Sequence, residues 1–116
     1  MAALHSVLLV APEGQLRDDL QRRLRNKGHL VSVAGQARPA MEVLSELQFD
    51  LVASWPVLPD GSGAGFLAEV QRRYPASALL LLGTDPAAAH LDFELLLRIS
   101  RLARAAGTRG HQEGGN

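Results

Sequence analysis

Cysteine is absent from this chain, which excludes disulfides, thiol catalysis and thiolate metal sites. Histidine is sparse: His5, His29, His90 and His111 are scattered, and none falls at a metal-ligand spacing. No apolar run approaches the roughly 20 residues needed to cross a bilayer. The start, "MAALHSVLLVAPEG", has no basic lead before its apolar stretch and reads as a strand, not as a signal peptide. Net charge is missing too: 12 basic residues balance 12 acidic ones, so no global field draws the molecule to nucleic acid or to an anionic membrane. Lysine and tryptophan occur once each, as Lys27 and Trp55. What is present is apolar. Hydrophobic residues make up 47% of 116 residues, enough for one domain with a modest core and too few for two. A soluble, cytoplasmic domain is the expectation.

The pattern along the chain alternates between two periods. Residues 4–10 form a nearly continuous apolar run ending in "APEG", as expected of a strand covered on both faces. In "QLRDDLQRRLRNKG" (15–28), Leu16, Leu20 and Leu24 recur every fourth residue and Gly28 supplies a helix stop. "HLVSVAG" (29–35) reads as a strand, and "RPAMEVLSELQ" (38–48) as a helix with Pro39 in its first turn. "DLVASW" (50–55) is a third strand, "GFLAEVQRRYP" (65–75) a helix with Phe66, Leu67 and Val70 inward, and "ALLLLG" (78–83) a fourth strand.

Strands alternating with helices in this way imply right-handed crossovers and a parallel sheet with helices on both faces. Such folds bind ligands beyond the carboxyl ends of the strands. The loops at 11–14, 55–63 and 83–86 are therefore the places to look for chemistry. Asp85 and Pro86 could cap one long helix over 86–106, with Leu91, Leu95, Ile99, Leu102 and Ala106 on a stripe, or that stretch could be two helices. Residues 1–106 are expected to form the domain. Residues 107–116, "GTRGHQEGGN", read as a flexible tail.

From Val7 to Thr84, without a gap, this pattern resembles the receiver domain of two-component response regulators. The most specific part is the third strand running into "LPDGSG" and a helix ending in "RRYP". The resemblance implies a flavodoxin-like, doubly wound α/β fold. It also implies where phosphotransfer chemistry would sit. The paired acids that hold magnesium in a receiver match Ala11 and Pro12, with only Glu13 acidic at a third position. The phosphoacceptor aspartate matches Trp55. The hydroxyl residue after the fourth strand matches Gly83, with Thr84 one position late, and the phosphoryl-contacting lysine has no match, since Lys27 ends the first helix. The helix and fifth strand that precede a receiver's last helix are missing, because "LDFELLLRISRLARAA" (91–106) falls in register with that last helix.

Phosphoryl transfer to a carboxylate needs the carboxylate, a divalent cation and donors for the phosphoryl oxygens. Trp55 is no nucleophile, and the side chains of Ala11 and Pro12 offer no oxygen to a hard cation. The expectation is therefore a degenerate, truncated pseudo-receiver without cofactor, metal or catalysis. Trp55 is either a plug filling the vacated pocket or an exposed anchor for a partner. Glu13, Asp60 and Asp85 either form a residual cation site or are solvated capping acids, and Asp60, Gly61 and Gly63 suit a turn. Arg98, Arg101 and Arg104 read as a solvated helix face beside Glu94 or as a phosphate-facing stripe. His5 and His29 are expected to be structural.

Two functions follow. One is a phosphorylation-independent module for protein contact or dimerisation in bacterial signal transduction or transcription regulation. The other is a flavodoxin-like domain that binds a small planar ligand around Trp55, although "APEGQLRDD" lacks the usual glycine-rich phosphate loop. For the first, the apolar edge of "ALLLLG" predicts a homodimer with Leu80, Leu82, Leu95 and Ile99 near its interface. Neither a membrane nor nucleic acid is an expected partner.

Overall fold

Strands whose two faces are both apolar must be covered twice, and the chain does this with a parallel sheet between helices. A computed structural model describes residues 5–82. The element order is β1 (Ser6–Val10), α1 (Gln15–Asn26), β2 (Leu30–Ala34), α2 (Ala37–Glu46), β3 (Leu51–Ser54), β4 (Val57–Leu58), β5 (Gly61–Ser62), α3 (Gly63–Arg73) and β6 (Ala78–Leu81). Among the described residues, four strands form the sheet in the order β2-β1-β3-β6, all parallel. The register aligns Val10 with Ala34 on one side and with Ser54 on the other, so the carboxyl ends of β1, β2 and β3 finish together. That shared end is the crevice where an open parallel sheet presents ligands.

The alternation of side chains divides the core in two. Val7, Leu9, Val31, Leu51, Ala53, Leu80 and Leu82 point to one face with Leu20 and Leu24 of α1. Leu8, Val10, Val52 and Ala34 point to the other with Ala40 and Leu44 of α2 and Phe66, Leu67 and Val70 of α3. Leu8, Leu9, Leu51 and Val52 are completely buried, and full burial of each such side chain stabilises by about 1.5–3 kcal/mol.

The elements fall where the periodicity puts them, with trimmed ends. Gly28 ends α1 at φ 95, with Gly28 N–H donating to Arg25 O and His29 N–H to Leu24 O, the paired bonds of a Schellman motif. Pro39 lies in the first turn of α2, as expected, although the helix begins at Ala37. The third strand stops at Ser54 and leaves Trp55 beyond it. The expected helix over 65–75 begins earlier, at Gly63, and ends at Arg73, because Ser62 accepts from Gly65 N–H and so fixes the start. The fourth core strand is β6, which stops at Leu81. The segment read as one long turn at 55–63 holds an antiparallel pair, β4 with β5, joined through Leu58 opposite Gly61. The expected helix over 86–106 and the tail at 107–116 lie outside the described residues.

Candidate functional site

Among the described residues, three connections lie at the carboxyl end of the sheet: residues 11–14, the β2–α2 link at Gly35, and residues 55–62. Ala11 is 2% exposed and extends the ladder, its N–H donating to Ala34 O at 3.0 Å. Pro12, Glu13 and Gly14 are exposed. Arg17, in the first turn of α1, reaches back over this loop: its Nη1 donates to Ala11 O at 3.1 Å, and its Nη2 lies 3.9 Å from the exposed Glu13 carboxylate. The Arg17 side chain is 13% exposed, so a largely buried guanidinium lies against the loop at residues 11–14. A fixed positive charge there opposes entry of a divalent cation.

Trp55 continues β3 by one residue, its N–H donating to Val10 O at 2.9 Å. The side chain is half-buried and packs against both core clusters, the one under α1 and the one under α2 and α3. It therefore sits across the end of the sheet, where it bridges the two faces. Ser54 just before it is fully buried and donates from Oγ to Trp55 O at 2.9 Å. The chain then folds back: Gly63 N–H donates to Pro56 O at 2.8 Å. A Cβ at Gly63 would lie 1.9 Å from Trp55 O and 2.9 Å from Ser54 Oγ, so only glycine lets the start of α3 press against the Trp55 carbonyl. Val57, beside it, is 74% exposed.

Asp60 at the hairpin tip is engaged at long range. Its carboxylate accepts from Ala37 N–H at 2.9 Å and from Arg38 N–H at 3.0 Å, the first two residues of α2. Gln36, the residue that precedes the helix, contributes no side-chain cap, so Asp60 satisfies donors that a local residue usually serves. These two backbone bonds hold the Asp60 carboxyl below its ordinary value, against a smaller opposing effect of burial.

The predicted residues are thus brought together in part. Ala11, Pro12 and Trp55 lie at the shared end of β1 and β3. Glu13 faces solvent and Asp60 is a helix cap, so these two do not converge on a cation. Asp85, Gly83, Thr84, Leu95, Ile99, Arg98, Arg101 and Arg104 lie outside the described residues. Leu80 and Leu82 require a correction: they are 5% and 1% exposed and belong to the protomer's own core, because the pleat turns their side chains toward the α1 face. His29 is 8% exposed, and His5 lies 3.8 Å from Asp50 at the opposite end of the sheet, in keeping with structural roles. Arg17 and Ser54 carry no signal in the sequence, and Gly63 reads there only as a turn residue, whereas it is the first residue of α3. "SW" followed eight residues later by glycine carries no motif, and a contact from α1 back to Ala11, six residues earlier, is invisible to periodicity.

Clefts on the described surface include two beside the helices. One, of about 940 Å³, runs between α2 and α3 past Met41, Phe66, Glu69 and Arg73. The other, of about 650 Å³, lies by Leu47, Phe49 and Tyr74. Trp55 lines neither of these two.

No family model matches the chain. A curated relative, the transcriptional activator protein PfeR of Pseudomonas aeruginosa, is 31% identical over 75 residues, which is 65% of this chain and 25% of that protein. The chain thus spans about a quarter of the curated relative it matches. Among solved structures, the signal receiver domain of an HD domain-containing protein from Pseudomonas fluorescens Pf-5 superposes with a TM-score of 0.82 at 25% identity, over 92% of each chain. The beryllofluoride-activated NtrC4 receiver domain dimer superposes with a TM-score of 0.74 at 21% identity, over 87% of this chain and 98% of that one. The parallel four-stranded sheet with its flanking helices is the flavodoxin-like fold of receiver domains. Among the described residues, no helix is long and apolar enough to cross a membrane.

Proposed function

We propose that this chain is a phosphorylation-independent pseudo-receiver, a non-catalytic protein-contact module in bacterial signal transduction or transcription regulation. The observation that carries the reading is Trp55. In the resemblance it matches the phosphoacceptor, and it stands at the end of β3 with its ring against both core clusters. A tryptophan placed there fills the space in which a carboxylate and its cation would meet. Ala11 and Pro12 bring no side-chain oxygen, and Arg17 brings a positive charge to the same loop. Phosphotransfer would have no nucleophile, no cation and uncompensated charge. Contact with other proteins remains as the function of such a surface. The likeness of NtrC4, a receiver domain solved as a dimer, supports that fold-level expectation, and so does the partial match to a transcriptional activator.

Incubation with a small-molecule phosphodonor and magnesium, followed by intact mass measurement, tests the proposal. The mass should not change. An acid-labile phosphoryl adduct would overturn it. Trp55→Asp should also remain unmodified, because the single change restores the nucleophile and leaves the cation site absent.

A further inference from the structure

The cleft between α2 and α3 and the cleft by Leu47 and Tyr74 share Ser45 and Arg73 among their linings, so the two form one groove. It begins at Asp60 and the first turn of α2 and ends at the connections that lead into β3 and β6. Its walls follow helical spacing: Arg38, Glu42 and Ser45 come from α2, and Phe66, Glu69 and Arg73 from α3. Its floor is apolar. Met41 and Phe66 lie toward one end, and Leu44, Phe49 and Tyr74 toward the other. Leu47, which lines that second end, is 54% exposed. The walls there differ in charge. On the α2 side Glu42 and Glu46 are exposed, and among the described residues neither has an ion-pair partner. Arg38 precedes Glu42 by four residues, the less favourable order for a helical pair. Glu46 is the last residue of α2, whose last turn holds no basic residue, so its carboxylate sits at the negative end of the helix macrodipole, where an acid costs stability. On the α3 side the exposed Arg72 and Arg73 share one carboxylate, that of Glu69. Arg73 Nε lies 3.6 Å from it, outside hydrogen-bond range.

Resting on the reading of the chain as a protein-contact module, we propose that this groove takes an amphipathic helix of another protein, apolar toward the floor, basic on the flank over α2 and acidic on the flank over α3. A groove between two helices holds a third by burying its apolar stripe along their length, and the three turns of α3 supply that length. The charges select the occupant. A cation over Glu42 and Glu46 meets two carboxylates that the chain leaves without an ion pair, one of them at the wrong end of its helix. An acid over Arg73 accepts from a guanidinium that Glu69 engages only at long range. A helix of uniform charge would instead meet one wall of its own sign, which is how such a groove rejects wrong partners. Leu47 supplies the apolar anchor, because its exposed side chain leaves water only under a partner.

Three labelled synthetic helices of about 18 residues, five turns each, test the groove by fluorescence anisotropy against the full chain. All share one leucine stripe. The first carries lysines on one flank and glutamates on the other, the second lysines on both, and the third glutamates on both. The mixed helix should bind at least about tenfold more tightly than either uniform one. Leu47→Asp should weaken it at least about tenfold, with the far-ultraviolet circular dichroism unchanged. Glu42→Lys combined with Glu46→Lys should weaken the mixed helix likewise and let the all-glutamate helix bind. The same double variant should melt higher than wild type, because Glu46→Lys sets a favourable charge at the end of α2. That rise separates lost binding from lost folding. No binding of the mixed helix, equal binding of all three, or an affinity that both variants leave unchanged overturns the proposal. None of these outcomes involves phosphate, so the mass measurement judges phosphorylation independence separately.

Discussion

Two of the described loops at the carboxyl end of the sheet are built in opposite ways. Residues 11–14, between β1 and α1, are a bare connector: three of the four are exposed, and Gly14 starts α1 without a side-chain cap. Residues 55–62, between β3 and α3, are a small structure of their own. They hold a two-stranded pair, a side chain packed on both cores, a serine cap on α3 and an aspartate cap on α2. The comparison shows where this end of the fold keeps its shape. The second loop ties β3 to two helices at once, whereas the first can vary with little consequence. Substitutions should therefore hurt steeply in one loop and hardly at all in the other.

The largest effect is expected at Gly63. The Cβ of Gly63→Ala would fall 1.9 Å from the Trp55 carbonyl oxygen, and backbone cannot rotate away as a flexible side chain could. Thermal or urea unfolding should show a loss of about 3 kcal/mol or more. A near-neutral variant would mean that α3 does not press on the loop. Trp55→Ala comes next. Because the ring is only half-buried, the loss should fall below the range for a fully buried tryptophan, at about 2 kcal/mol. If it is lost without cost while a partner is no longer retained in a pull-down, the ring is an anchor for that partner and not a brace between the two clusters.

The next effects come from the caps. Ser62→Ala removes the acceptor for Gly65 N–H and should cost about 1 kcal/mol. Asp60→Asn keeps the shape and loses the charge at the start of α2, so melting should fall modestly and amide exchange at Ala37 and Arg38 should quicken. The pH dependence has a definite sign. The folded carboxyl titrates below its ordinary value of 3.8, so its stabilisation is complete above that value and is lost as pH falls through the lower folded one. Wild type should lose stability relative to Asp60→Asn only in that acidic window. A constant difference between them down to the lowest pH would assign the cap to geometry and not to charge.

How much of this was legible beforehand depends on the range of each contact. The core strands were readable because Leu8, Leu9, Leu51 and Val52 sit in runs that only a doubly covered strand explains, and Gly28 ended its helix as its position foretold. The hairpin at 57–62 was not, since strands of two residues leave no periodicity. Asp60 looked like a turn residue because its partners lie 22 and 23 residues earlier in the chain. Leu80 and Leu82 could not be assigned to interface or core: in an all-apolar strand the pattern does not say which face, or which edge, a residue serves.

The smallest effect belongs to the first loop. Glu13 is 91% exposed, and its carboxylate lies 3.9 Å from an Arg17 nitrogen, outside hydrogen-bond range. Arg17 is held independently by the Ala11 carbonyl, and its side chain is only 13% exposed. Removing the Glu13 charge therefore takes away a solvent-screened attraction and no packing, and Glu13→Gln should shift unfolding by less than about 0.5 kcal/mol. Added magnesium should leave the melting temperature of both proteins unchanged, because a lone exposed carboxylate beside a guanidinium is a poor ligand for a hard cation. Magnesium-dependent stabilisation of wild type that disappears in Glu13→Gln would contradict this. It would show that the bare loop still gathers oxygen ligands, and that the two loops differ less in function than they do in form.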